Sequence, residues 1–354
     1  VVPLKSVDAF YMLTKDMGYI KVNRFAESTY KEFKDALGKL QKRGARKLVL
    51  DLRDNPGGYL GMAEEMADEF LEDGKLILFT KNKKGKISKS FATDEGSFED
   101  KPIYVLINER SASASEIVAG ALQDNDIGTI VGRRSFGKGL VQREMALGDG
   151  SAVRLTVSRY YTPTGRSIQK TYANGTKDYY QRFTDRYHSG EMISVDSIKV
   201  ADSLKFVTPK GKVVYGGGGI IPDVFVPIGS NEEEAVDSMD NLGFISFFVF
   251  EHLDEDRERY AQYTQEEFVN DFNVDDILFE KFVEYSVDRN LRMNFYEHVN
   301  SIKLFLKANI AEQLFNTNIH AKIKADEDLM LQKVLELDGG GIEQQESGAI
   351  KTYN

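Results

Sequence analysis

The segment from Pro102 to Gln142 constrains the chain most: PIYVLINERSASASEIVAGALQDNDIGTIVGRRSFGKGLVQ. A β-branched apolar run (Ile103, Val105, Leu106, Ile107) breaks at Asn108-Glu109-Arg110 and resumes at Ser113 with helical spacing through Ile117, Val118, Ala121 and Leu122. A strand therefore runs into a turn that opens a helix. Small residues fill that turn from Ser111 to Ser115, leaving room for a foreign backbone beside it. The helix closes at Asp124-Asn125-Asp126, a short strand covers 127–131, and a glycine-hinged loop then carries Lys138. A serine at a helix start and a lysine on a loop are the residue types of a nucleophile and its base.

Each residue also has a plainer reading. Ser113 with Glu116 three positions on is a capping box, and serines at helix starts are usually caps. Most loop lysines are simply solvated. The rest of the sequence shifts the balance. There is no cysteine, which excludes thiol catalysis, and the four histidines (His188, His252, His298, His320) lie outside the strand-and-helix core. A Ser/His/Asp arrangement would have to draw its base from a peripheral segment, so lysine is the better base for a serine nucleophile here.

Five blocks in order, LVLDLRDNPGG (48–58), ERSASASEIVAGALQD (109–124), VGRRSFGKGLVQ (131–142), YYTPTGRSIQ (160–169) and GGGGIIPDVFV (216–226), resemble the carboxy-terminal processing (tail-specific) proteases of the S41 serine-peptidase family. The resemblance implies an endopeptidase with a Ser/Lys dyad: Ser113 as nucleophile, Lys138 as base and Gln142 orienting the lysine. It implies an oxyanion hole from the amide of Ala114 and an amide of Gly57 or Gly58. It also implies a layered α/β core of strand-helix units. Polypeptides bound in extended form are the expected substrates, with no cofactor and no metal.

The chemistry asks for the same residue types. A lysine acts as a general base only when neutral, a form that burial away from water favours, and Phe136, Leu140 and Val141 are suitable apolar company. Gln142 can accept a hydrogen bond from an amine without stabilising its ammonium form as a carboxylate would. The helix opening at Ser113 offers free backbone N–H groups to an oxyanion.

Composition bounds the rest. Forty-six basic against fifty-six acidic residues give a net charge of −10 with no long basic cluster, so nucleic acid is not an expected partner. The longest near-continuous apolar run, Phe244 to Phe250, falls far short of the roughly 20 residues a membrane span needs. The chain starts without methionine or a signal segment, so its targeting information is expected to be missing. With the family resemblance, the expected location is the bacterial periplasm or cell envelope. Homo-oligomerisation is left open.

Along the chain, 9–22 reads as two short strands, 28–43 as an amphipathic helix capped by Thr29 with Glu32 and ended by Gly44, and 47–52 as a buried strand. A helix over 60–71, a strand over 76–80 and a charged surface hairpin within 81–101 follow. Strands are expected at 152–161 and 224–226 and a hairpin at 206–214, while the tyrosine-rich 170–195 reads as an insertion or lid-like surface. From Asn231 glycine nearly disappears and helices dominate: 244–252, 265–272 behind a Thr264/Glu267 capping box, 277–285, 290–317 and 326–337. The expected division is a peptidase core over 1–228, a helical region over 229–338 and a polar disordered tail over 339–354.

These proteases usually carry a PDZ domain, and no stretch before LVLDLRDNPGG has room for one; its removal or its absence from this member is expected. Two alternatives stand beside the protease. One is a catalytically silent peptide-binding scaffold on the same fold. The other is nucleotide binding by 132–138, which fits the first seven P-loop positions but has Gly139 in place of Ser or Thr and a strand in place of a helix after it.

Overall fold

The computed structural model describes residues 4–172, 175–229, 236–240 and 242–339. The chain divides into two compact units, Val1–Ile228 and Gly229–Asn354. The first is mixed α/β and the second helical.

Unit 1 opens with β1 (Val7–Met12), β2 (Met17–Val22), α1 (Thr29–Lys42), β3 (Lys47–Asp51) and α2 (Leu60–Asp68). The hairpin β4 (Leu76–Asn82) and β5 (Ile87–Phe91) leads to β6 (Ile103–Ile107), α3 (Ala114–Asp124) and β7 (Gly128–Gly132). After β8 (Leu140–Ala146) and β9 (Ala152–Tyr161) come α4 (Gly175–His188), β10 (Lys205–Val207), β11 (Val213–Tyr215) and β12 (Val224–Phe225). The main sheet has the order β1-β2-β3-β6-β7-β12, antiparallel at β1/β2 and parallel from β2 onward. A four-stranded sheet, β5-β4-β9-β8, is antiparallel, with β8 on its edge.

The central strands β3 and β6 read as apolar runs because they are covered on both faces, as parallel strands usually are. Leu48, Leu50, Val105 and Ile107 pack in one core with Phe33 and Leu37 of α1, Ala63 and Met66 of α2 and Val118 and Leu122 of α3. The parallel register, Leu50 opposite Val105 and Val105 opposite Ile130, brings the carboxyl ends of β3, β6 and β7 to one sheet edge. Crevices at such edges are where open α/β sheets bind ligands.

The helix over 28–43 forms, and Gly44 ends it at φ +98°, a conformation glycine adopts without strain. The Thr29/Glu32 capping box does not. Thr29 is already helical, and Glu32 Oε2 instead accepts the amides of Ser6 (2.8 Å) and Val7 (3.1 Å), tying β1 to α1. The segment 170–195, read as an insertion or lid-like surface, leaves most described residues of its helix exposed and is anchored at a few. Its helix α4 packs on the loop that carries Lys138: Arg186 Nη1 donates to Ser135 O (3.0 Å), Glu191 joins Arg134 and Arg186, and Phe136 meets the rings of Tyr179 and Phe183.

Unit 2 holds α5 (Phe244–Tyr260), α6 (Gln265–Asp271), α7 (Asp276–Asp288), α8 (Val299–Leu314), α9 (Thr317–Lys324) and α10 (Leu329–Leu337). The Thr264/Glu267 capping box is present. Phe268, Phe272, Phe279 and Phe282 are buried in this unit's own core, as the stripe's spacing suggests. The single helix read over 290–317 is corrected. Asn290 takes φ +62° and turns the chain after α7, and a short 3₁₀ turn, Phe295–His298, precedes α8. Asn is one of the few residues that enters this region at low cost. The tail expected from 339 lies, beyond Gly339, outside the described residues.

Candidate active site

Three loops meet where β3, β6 and β7 end. The turn after β3 (Asn55-Pro56-Gly57-Gly58), the turn after β6 that opens α3, and the loop between β7 and β8 line one cleft of about 500 Å³ with the start of β8. Ser113, Lys138, Gln142, Gly57 and Gly58 all line it, together with Leu60, Ile117, Leu140, Val141 and Tyr160.

The three serines of the SASAS run separate by burial. Ser111 and Ser115 are fully buried and hydrogen-bonded, Ser111 Oγ to Leu52 O (2.8 Å) and Ser115 Oγ to Asn55 O (3.0 Å). Of the three, Ser113 alone lines the cleft. Its backbone sits at φ +57°, ψ −111°, a sparsely populated conformation for a residue with a side chain. Such strain costs about 1–3 kcal/mol and persists only where surrounding bonds enforce it.

Those bonds run through Glu116. Its capping box with Ser113 is present, so the plainer reading of the spacing also holds. The carboxylate does more than cap, however. Oε2 accepts the amides of Ser113 (2.8 Å) and Lys138 (2.9 Å), and Oε1 accepts Ser135 Oγ (2.5 Å) and the Gly137 amide (2.7 Å). Complete burial raises the carboxyl above the ordinary glutamate value, and these four bonds pull it back only in part. Tyr160 adds a second tie, its hydroxyl lying 3.1 Å from Ser113 O and 2.9 Å from Lys138 O. Burial, with the Glu116 charge beside it, pushes that hydroxyl well above the usual tyrosine range.

Nζ of Lys138 has no hydrogen bond or ion pair among the described residues. Gln142 lines the same cleft from the exposed strand β8 without bonding to Lys138. Phe136, read as apolar company for the lysine, packs on Tyr179 and Phe183 of α4; Leu140 and Val141 stay at the cleft. The loop leads into β8 and not into the helix that follows a P-loop.

The glycine turn sits hard against the nucleophile. A Cβ on Gly57 would come within 2.6 Å of Ala112 O and 2.7 Å of Ser113 Cβ, and one on Gly58 within 2.0 Å of Phe25 O. The Gly57 amide is taken by Asn55 Oδ1 (2.8 Å), whereas the amides of Gly58 and Ala114 donate to no protein acceptor among the described residues. Asn55 is itself fixed, its Nδ2 on Val22 O (2.8 Å) and its carbonyl accepting from Ala112 N (3.0 Å).

Residues 16–179 match the model of Peptidase family S41. The match lies within unit 1. Relatives include carboxyl-terminal-processing proteases of Synechocystis, 42% identical over 156 residues (44% of this chain, 36% of the relative), and of Bartonella bacilliformis, 42% identical over 173 residues (48% and 39%). A probable CtpA-like serine protease of Staphylococcus aureus is 39% identical over 206 residues (57% and 40%). The chain thus spans about two-fifths of the length of these relatives. Among solved structures, a photosystem II D1 C-terminal processing protease aligns with 64% of this chain and 49% of its own, at 27% identity and a TM-score of 0.45. Outside that match, residues 236–316 match a family of unknown function (DUF8443). Among the described residues no helix is long and apolar enough to cross a membrane.

The sequence pointed to Ser113 and Lys138 and left Glu116, Tyr160 and Asn55 without a role in the site. Glu116 was hidden by its own spacing, which a cap explains fully. Tyr160 and Asn55 lie in the blocks YYTPTGRSIQ and LVLDLRDNPGG, and only the fold brings their polar atoms to the turn that holds Ser113.

Proposed function

We propose that unit 1 is an S41 peptidase module, a serine endopeptidase that uses Ser113 and Lys138 as a dyad on extended polypeptide substrates. The observation that carries it is the selection among the three serines: two are buried and bonded, and Ser113, on a strained turn at a helix start, faces the cleft that Lys138 also lines. Ser113 Oγ attacks the scissile carbonyl carbon while its proton passes to neutral Lys138 Nζ. The oxyanion is held by the amides of Ala114 and Gly58, the two free donors at the turn, each typically worth about 3 kcal/mol to such an intermediate. Gly57 serves by close approach, since its amide is engaged by Asn55. Lys138 then gives its proton to the leaving amine, and the C–N bond breaks. Water attacks the acyl-serine, its proton returns through Lys138, and Ser113 is restored. Gln142 orients the lysine amine once substrate closes the cleft, as catalytic hydrogen bonds often tighten only in the complex.

The names of the relatives support processing at carboxyl termini, and export to the cell envelope goes with that reading. The helical unit is a separable packing unit without a catalytic group. The test is incubation with unfolded polypeptides, with and without Ser113→Ala, and mass spectrometry of the products. Discrete internal or near-C-terminal cuts that vanish in the variant are expected; cuts that persist would overturn the proposal.

A further inference from the structure

One buried titratable group is left unused by a Ser113/Lys138 dyad. Glu116 is fully buried, one layer beneath the cleft, and collects donors from both loops that carry the dyad. Two donors fall on each oxygen, the full acceptor capacity of an ionised carboxylate. Three are backbone N–H groups and can only donate; the fourth, Ser135 Oγ, accepts the Ile220 amide (2.6 Å) while it donates to Glu116. A glutamine amide would turn at least one hydrogen toward a backbone N–H, and a protonated carboxyl would do the same unless the Ser135 hydroxyl turned its own proton away.

No lysine, arginine or histidine forms an ion pair with Glu116 among the described residues. The charged and titratable groups around it are Lys138 on its loop, Tyr160 on β9, and Tyr179 and Arg186 on α4, the last through the Ser135 carbonyl. The free N–H groups of α3 favour an anion in that helix's first turn. The carboxylate is therefore held by hydrogen bonds and by a helix end, and those same bonds fix the backbone of Ser113 relative to that of Lys138.

We propose that Glu116 is a positioning residue that couples the helix bearing Ser113 to the loop bearing Lys138, so that nucleophilic attack requires Glu116 as the unprotonated carboxylate. The proposal rests on the dyad reading, and its test separates the two. The rate of fluorophosphonate labelling at Ser113 is measured on the full chain, from about pH 5 to about pH 9, for wild type, Glu116→Gln, Glu116→Asp and Ser135→Ala, with thermal melts to establish folding. Wild type is expected to label at Ser113 with a rate that falls on the acid side as Glu116 gains a proton, on top of the fall that any base for Ser113 imposes. Glu116→Gln should label about tenfold or more slowly and lose only the part of the fall that Glu116 contributes, because its amide cannot titrate. Glu116→Asp should be slow yet keep the acid limb. Ser135→Ala removes a bond that favours the ionised form, so the acid limb should move to higher pH. A folded Glu116→Gln that labels at the wild-type rate with the wild-type acid limb overturns the coupling and leaves the dyad standing. If Glu116→Gln does not fold, an acid limb unmoved in Ser135→Ala overturns it equally. Wild type labelled elsewhere than Ser113 overturns the dyad and the coupling with it.

Discussion

The hydroxyl of Tyr160 lies 3.1 Å from the carbonyl oxygen of Ser113 and is buried there, with the Lys138 carbonyl 2.9 Å away on its other side. A single proton is shared between the backbones of the two segments that the Glu116 carboxylate also ties together. Tyr160→Phe keeps the ring and removes this tie. It is expected to cost about 1–2 kcal/mol of stability in urea unfolding and to lower kcat more than it raises KM. An unchanged kcat in the folded variant would deny Tyr160 a positioning role.

The three serines should divide by what they touch. Ser111→Ala and Ser115→Ala each remove a buried hydrogen bond, so each should lower stability by about 1 kcal/mol and still label with fluorophosphonate. Ser113→Ala should label nowhere and leave the melt within about 1 kcal/mol of wild type, helped by relief of its strained turn. Peptide mapping of the adduct in each variant checks this, and a Ser111 or Ser115 adduct would refute it.

At the glycine turn, Gly58→Ala should be the more damaging of two disruptive changes. Its methyl would meet Phe25 O at 2.0 Å, a backbone atom that cannot swing aside, whereas Gly57→Ala meets Ala112 O at 2.6 Å. Both are expected to abolish labelling at Ser113, with the larger fall in melting temperature for Gly58→Ala.

Acid stability should depend on Asp51, which closes β3 just before this turn. Burial would raise its carboxyl, but Arg53 and Lys21, with bonds from Arg53 and Tyr19, hold it at about 2 against an ordinary 3.8. A carboxyl lowered on folding stabilises the fold above its unfolded value and loses that contribution as the pH falls through its folded value. Stability should therefore decline by roughly 2 kcal/mol between about pH 4 and pH 2 on this account. Asp51→Asn should flatten that part of a urea-midpoint profile; an unaltered slope would assign the acid sensitivity to other carboxylates.

Much of this architecture is legible in the sequence because local chemistry and tertiary need coincide. The apolar runs of β3 and β6 are buried on both faces, and the small residues of the SASAS turn are small because Gly57 lies against them. What eluded the sequence is where local chemistry has a sufficient explanation of its own. Glu116 at the third position of a helix reads as a cap and is one, while its other bonds reach residues about twenty positions away. Thr29 and Glu32 fit the same local pattern and fail it, because Glu32 instead takes the amides of Ser6, just before β1, and Val7, at its start. The polar residues of α4 suggest a surface, yet Arg186 is buried in an ion pair with Glu191, just past the helix, and bonds to the loop that carries Lys138. In unit 2 the 3.6-residue period places the aromatic core correctly and cannot register the turn at Asn290, where a single positive φ ends α7.

The central claim is that Lys138 is the base for Ser113, and the rate of polypeptide cleavage by Lys138→Arg tests it most directly. Arginine keeps the positive charge at this position but cannot give up its proton, so a base is lost while an electrostatic role is retained. Cleavage by Lys138→Arg is expected at the background level of Ser113→Ala, with the protein folded as judged by its melt. Cleavage near the wild-type rate would contradict the dyad.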